Sequence, residues 1–180
     1  GVTIIGFTVK GSTGAGIHLI RATNSRISRN LATDNHNGIF LEYSKDNTLL
    51  ENVSDRNDQG IYLYYSDGNV IEKNSADNNA DKGITLHASH GNTIQDNTAN
   101  ANYWNGITIT SSRNNTVKNN RFIANSYPIV MSDSEGNEMG NNTIMRRLYY
   151  ILPVVLVYLG ICLYLIEKRL LLSYFKNKYI

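Results

Sequence analysis

The sequence predicts an all-β protein, a single-stranded parallel β-helix of about six rungs of 22–23 residues over 1–145, followed by one transmembrane α-helix. Three observations carry this expectation. A Gly-Ile pair returns at Gly16-Ile17, Gly38-Ile39, Gly60-Ile61, Gly83-Ile84 and Gly106-Ile107, with Pro128-Ile129 as a variant, in steps of 22 or 23 residues. Three polar columns keep the same rhythm. One is Asn30, Asn52, Asn74, Asn97, Asn120, Asn142; the next is Asn35, Asn57, Asn79, Asn102, Asn125; the last is Ser25, Asn47, Asn69, Asn92, Asn115, Asn137. The remaining observation is an uncharged run, YYILPVVLVYLGICLYLI, from Tyr149 to Ile166. A fixed period of this kind means that each copy is one supersecondary unit stacked on the next.

The strands follow from alternation within each copy. Ile17/Leu19, Ile39/Leu41, Ile61/Leu63, Ile84/Leu86, Ile107/Ile109 and Ile129/Met131 are two residues apart, the period of a strand with one face inside. A second inward column is Ile5, Ile27, Leu49, Ile71, Ile94, Val117, Met139, and a third is small, Ala32, Ser54, Ala76, Ala99, ending in Phe122. Each copy therefore holds three short strands separated by corners rich in Asn and Gly, residues that tolerate positive φ. Stacked Asn side chains can also hydrogen-bond from rung to rung. A leucine-rich horseshoe has a similar period. It needs a helical or extended outer segment, and here an Asn falls about every five residues and leaves no room for one.

The consensus N-x-I-x-x-N-x-A-x-x-N-x-x-G-I-x-L, seen well from Asn69 to Leu86, resembles the parallel β-helix repeats of the NosD-like family. That family sits among the pectin-lyase-like β-helices and the carbohydrate-binding and sugar-hydrolase modules. The resemblance covers roughly residues 1–144. It implies a right-handed helix and suggests polysaccharide as a partner, but repeats made mostly of packing and corner residues specify fold far more than function.

The uncharged run is expected to span a membrane. At about 1.5 Å rise per residue it approaches the about 30 Å of a hydrocarbon core. Tyr149, Tyr150 and Tyr164 lie where interfacial aromatics concentrate, and Pro153 falls near the start, where it is tolerated. A helix capping the last rung would need only one apolar face, and this run is apolar all round. Arg146 and Arg147 precede it, while Lys168, Arg169, Lys176 and Lys178 follow, so the positive-inside rule places the C-terminus in the cytoplasm and the β-helix outside.

Charge and cysteine usage narrow the function classes. Residues 1–145 hold eleven Lys/Arg against fourteen Asp/Glu, which argues against nucleic acid as a partner. Residues 146–180 hold six against Glu167 alone, as suits a segment near anionic lipid. Cys162 is the only cysteine, so no disulfide can form within the chain. The chain starts at Gly1 in mid-pattern, which suggests further rungs upstream and makes the absence of a signal peptide uninformative.

The outward positions of the Gly-Ile strands form two columns, His18, Phe40, Tyr62, Thr85, Thr108, Val130 and Ile20, Glu42, Tyr64, His87, Thr110, Ser132. With Tyr43 and Tyr65 they gather Phe40, Glu42, Tyr43, Tyr62, Tyr64, Tyr65 and His87 into one neighbourhood. Aromatic faces beside polar groups suit a sugar ring, which stacks on the former and hydrogen-bonds the latter. Exposed strand aromatics can equally serve sheet stability alone.

Asp55 and Asp77 stack across adjacent rungs, and Asp58 and Asp81 precede their Gly-Ile pairs, so calcium or acid/base work is conceivable there. No residue is assigned as catalytic, no cofactor is expected, and His18, His36, His87 and His90 do not complete a copper site. Asn52, Asn114 and Asn141 head N-x-S/T triplets, with Asn52 already committed to a ladder. The expected function is a membrane-anchored extracytoplasmic protein that binds polysaccharide or scaffolds the cell envelope. The alternatives are a polysaccharide lyase or hydrolase with its active site in absent upstream rungs, and a NosD-like accessory role in metal-enzyme maturation.

Overall fold

Short alternating segments with one apolar face have to bury that face against a neighbour, and here each rung does so against the rungs before and after it. The computed structural model describes residues 1–146 and 151–178, with side chains described for 1–146 and 154–170. The chain divides into two units, Gly1–Arg147 and Leu148–Ile180.

The first unit is a parallel β-helix of about seven turns. Its first wall is a seven-stranded parallel sheet running from Thr3–Ile5 through Arg26–Ser28, Thr48–Leu50, Val70–Glu72, Thr93–Gln95 and Thr116–Lys118 to Glu138–Gly140. The main wall has six strands, Ala15–Ile20, Asn37–Glu42, Gln59–Tyr64, Lys82–His87, Asn105–Thr110 and Tyr127–Ser132. A thinner wall pairs Thr8–Lys10 with Leu31–Thr33 and Arg121–Asn125 with Thr143–Arg146, joined between them by single bridges through Val53, Ser75 and Thr98. Six turns carry Gly-Ile strands, and Glu138–Gly140 with Thr143–Arg146 begin a seventh that counting Gly-Ile pairs does not reveal.

The inward columns fill the interior. Ile39, Leu41, Ile61, Leu63, Ile84, Leu86, Ile107 and Ile109 are fully buried, as are Ile27 to Val117 of the first wall and Ala32, Ser54, Ala76, Ala99 and Phe122 of the thin one. One expected member is misplaced. Ile4, not Ile5, pairs with Ile27, and Ile5 stands half exposed, because the first step along this wall is 23 residues. A one-residue slip sends a strand side chain to the other face. Met139 and Met131 lie exposed in the last turns.

The corners work differently from the expectation. The left-handed residue is usually not the ladder residue but the one before it. Arg29, Glu51, Lys73, Asp96 and Asn119 have φ of 53–56°, each followed by a buried Asn. Asn is required for hydrogen bonding instead. The Asn97 side-chain oxygen accepts from the backbone N–H of Asn74 at 2.8 Å and from its amide at 3.0 Å. The Asn97 amide donates to the Ile71 carbonyl at 2.8 Å and to the Asn120 side-chain oxygen at 3.0 Å. The columns through Asn52, Asn57, Asn69 and Asn92 repeat this pattern. A fourth column, Ser44, Ser66, Ser89, Ser112, Ser134, uses the hydroxyl in the same way and was readable in the sequence at steps of 22 and 23.

The glycine of each Gly-Ile pair is there for space. A Cβ on Gly83 would sit 2.6 Å from the Asn102 amide nitrogen, 2.7 Å from the Ala99 Cβ and 2.7 Å from the Gly106 carbonyl oxygen, all in the packed interior. Glycine and isoleucine are thus consecutive inward positions, and the sheet pairing passes from Lys82 to Ile84 without Gly83.

The second unit contains one helix, Ile151–Lys178. Among the described residues, no helix is long and apolar enough to cross a membrane. The expected span over 149–166 therefore has no support in the structure. The uncharged run of the sequence ends at Glu167, Lys168 and Arg169. Tyr149 and Tyr150, and the side chains of Pro153, Lys176 and Lys178, lie outside the described residues.

Two substitutions test this account. Asn97→Ala leaves several buried partners unsatisfied at about 1–3 kcal/mol each, so the urea midpoint falls by the equivalent of about 3 kcal/mol, and Asn97→Asp fails to restore it because a carboxylate cannot donate to Ile71. Gly83→Ala lowers stability by about 1–3 kcal/mol through overpacking, despite the better intrinsic propensity of alanine.

Candidate ligand-binding site

In-register stacking places the outward side chains of the main wall directly above one another. His18, Phe40 and Tyr62 are paired across successive strands, and their rings stack at centroid distances of 4.6 and 5.0 Å with planes within 15° of parallel. Beside them Tyr64 stacks on His87 at 5.4 Å. Tyr43 and Tyr65, at left-handed corner positions, stack on each other at 5.4 Å, and Tyr65 meets the Tyr64 ring edge-on at 4.6 Å. Tyr62 and Tyr64 lie 6.1 Å apart and join the two columns.

All seven residues expected on the face, Phe40, Glu42, Tyr43, Tyr62, Tyr64, Tyr65 and His87, stand in this one tract. Tyr43 and Tyr65 are about half exposed and the others partly so. His18 belongs with them, since its Nε2 lies 3.1 Å from a Glu42 carboxylate oxygen. It heads the outward column in the sequence, so its omission from the expected set was avoidable. Burial raises the hydroxyl pKa of Tyr62, and burial followed by the neighbouring phenols and Glu42 raises that of Tyr64. Both therefore remain neutral hydrogen-bonding groups at ordinary pH. The tract offers ring faces, phenol hydroxyls and one carboxylate, the equipment for holding a polyhydroxylated ring.

The acidic positions have other employment. The Asp55 carboxylate accepts from Ser75 Oγ and from the Asp77 N–H, both at 2.8 Å. Asp77 accepts from the Asn100 N–H at 2.6 Å and from Thr98 Oγ at 3.1 Å, and Asn100 in turn accepts from the Ile123 N–H. These residues form a further rung-to-rung ladder on the thin wall. Asp58 pairs with His36 at 2.8 Å and Asp81 with Lys82 at 3.2 Å.

The histidines are dispersed. His18 is held by Glu42, His36 by Asp58, and His87 by stacking on Tyr64, while His90 Nδ1 accepts the Arg113 N–H at 3.0 Å. Among the described residues, no group of three or more His, Cys, Asp or Glu could hold a metal ion.

Burial raises the Asp55 pKa above the ordinary value, with the Asp77 charge adding to it and the hydrogen bonds opposing. A carboxyl whose folded pKa is raised contributes stability below its unfolded pKa, and that contribution is lost as pH rises through the folded pKa. Asp55→Asn keeps the acceptor oxygen and removes the charge, so it should raise the melting temperature at pH 7, with the gain shrinking as the pH falls through the raised folded pKa and gone below about 4. Thermal melts of both proteins across that range check the sign.

Known proteins match this chain in two ways. The profile of the family described as periplasmic copper-binding protein (NosD) matches residues 2–149. No curated protein matches by sequence. Among solved structures, the periplasmic alginate epimerase AlgG is similar at 22% identity and a TM-score of 0.76, over 79% of this chain and 39% of AlgG. The A-module of the Azotobacter vinelandii mannuronan C-5 epimerase AlgE6 is similar at 13% identity and a TM-score of 0.67, over 82% of this chain and 55% of the module. The enzymatically active domain of bacteriophage CBA120 tailspike protein 2 is similar at 18% identity and a TM-score of 0.59, over 77% of this chain and 23% of that one. At these identities the structures establish the fold, and this chain spans less than two-thirds of each. The family profile covers nearly all of the β-helix, and the chain belongs to the NosD family.

Proposed function

We propose that this chain is an extracytoplasmic polysaccharide-binding β-helix whose contact surface is the aromatic tract of the main wall. One observation carries the reading: rings from four successive rungs, His18 to His87, lie on one outer face with hydroxyls and a carboxylate among them. Sheet stability explains single exposed rings, but it does not require Tyr43 and Tyr65 as well, placed outside the strand on left-handed corners. The β-helices it resembles include proteins named for epimerising alginate and mannuronan, which supports a polysaccharide partner. The periplasmic description of its family supports a location outside the cytoplasm.

No catalytic residue is assigned in this reading; on the face His18 and Glu42 lie 3.1 Å apart and His87 is stacked on Tyr64. The copper of the family description is left out too. Among the described residues, His18 and His36 each meet one carboxylate and no group of three or more His, Cys, Asp or Glu gathers, whereas a copper site needs more donors than a pair supplies.

The test is a glycan-array screen of the full chain beside a Tyr62→Ala/Tyr64→Ala variant. The native chain should bind one or more polysaccharides, and the variant should lose at least tenfold in affinity, about 1.4 kcal/mol, with its circular dichroism and melting temperature close to native. An array on which the native chain binds nothing would remove the reading.

A further inference from the structure

The ring column changes character halfway along the wall. In the column His18, Phe40, Tyr62, Thr85, Thr108, Val130, the rings stop at Tyr62 and two small residues follow. Thr85 and Thr108 are buried, at 7% and 8% exposure, with Thr85 Oγ1 donating to the Gln59 side-chain oxygen and Thr108 Oγ1 accepting from the Asn105 amide. Further along the same wall lies an open groove of about 600 Å³, lined by Asp81, Lys82, Trp104, Asn105, Tyr127 and Val130.

Two features suit this groove to a ligand. Trp104 and Tyr127 are both about half exposed, and each has a ring contact: Tyr103 meets Trp104 edge-on at 5.4 Å, and the Arg146 guanidinium lies 5.3 Å from the centre of the Tyr127 ring. The rim is polar and carries both signs, since Lys82 and Asp81 are ion-paired at 3.2 Å and Asn105 donates to Thr108 Oγ1 at 2.8 Å. Aromatic walls with Asp81, Lys82 and Asn105 beside them fit one sugar ring edged by hydroxyls better than a peptide or a lipid chain.

Position supplies the rest. The groove lies in rungs four to six, and the ring tract in rungs one to four of the same wall. From His18 to Tyr127 there are five rung steps of about 4.8 Å, about 24 Å along the helix axis. One rung rise is close to the length of one sugar unit in an extended chain.

We propose that the Trp104–Tyr127 groove is a second sugar subsite, and that the ligand is a linear polysaccharide lying along the helix axis, reaching from the ring tract into the groove. This rests on the polysaccharide reading above and adds to it a place, a direction and a minimum length. A short saccharide fills one region; a chain of about five or six units fills both.

The experiment is calorimetric titration of the full chain with cello-oligosaccharides and oligomannuronates, from dimers to octamers. The variants are Trp104→Ala/Tyr127→Ala, which removes the walls, and Val130→Trp, which keeps both rings and fills the groove. The alanine changes are at exposed positions, and the melting temperature of each variant checks the fold. The proposal expects affinity to rise with length up to pentamers or hexamers and then level off. Both variants should lose tenfold or more for hexamers and leave dimer affinity within twofold. Hexamer binding that the groove variants leave unchanged, while Tyr62→Ala/Tyr64→Ala abolishes it, overturns the groove and leaves the ring tract standing. No binding by either series at any length, together with a silent glycan array, overturns both.

Discussion

The asparagine ladder is the interaction on which the rest of this structure depends. Each rung must turn sharply at its corners, where backbone N–H and carbonyl groups leave the sheets and face a dry interior. An unpaired buried backbone group costs about 1–3 kcal/mol. The side chain that serves here has to accept from the rung on one side and donate to the rung on the other, at one short length. Asn97 does both, with an oxygen taking two hydrogen bonds and an amide giving two. Aspartate cannot donate, and serine serves only where one hydroxyl hydrogen is enough, as at Ser66. The sharp turn itself falls on the preceding residue, whatever its type, and among the described residues twenty non-glycine residues accept a left-handed φ of 46–59°. That conformation costs on the order of 1 kcal/mol each, which the ladder bonds offset.

Because the ladders lock successive rungs in register, every outward residue is aligned with its counterparts above and below. This has opposite consequences for rings and charges. Rings gain, since a rung rise of about 4.8 Å is close to stacking distance, and His18, Phe40 and Tyr62 stack with no further device. Like charges lose, so signs alternate from rung to rung in Arg29–Glu51 and Asp34–Arg56, and in His36–Asp58 where the histidine is protonated. Asp55 and Asp77 are the exception, and the hydroxyls and N–H groups directed at them compensate.

The sequence made the period, the inward columns and the ring neighbourhood readable, since each is a pattern along a single column. It was less informative where columns meet. Asn was credited with positive φ because Asn tolerates it, yet the conformation belongs to residues such as Arg29 and Lys73, which no propensity scale would nominate. Ile5 was placed inside because it continued a plausible column, and only the pairing of Ile4 with Ile27 shows the 23-residue first step. The groove was hidden for a similar reason. Its lining, Asp81, Lys82, Trp104, Asn105, Tyr127 and Val130, is drawn from several columns and a corner rather than from one. The membrane expectation rested on the uncharged run Tyr149–Ile166, and among the described residues no helix is long and apolar enough to cross a membrane.

The same lattice bears on how far the family's copper description extends to this chain. A ring ladder needs one kind of residue repeated down one column, which duplication of a rung produces at once. A metal centre needs several donors converging from neighbouring positions. His18 shares its column with Phe40, Tyr62 and Thr85; His87 shares its own with Glu42, Tyr64 and Thr110. His36 and His90 sit at different corners, each already joined to a neighbour through Asp58 or the Arg113 N–H. No column among the described residues holds two histidines. In this chain the inward columns make the fold, and the outward columns of the main wall bring rings, not metal donors, into register.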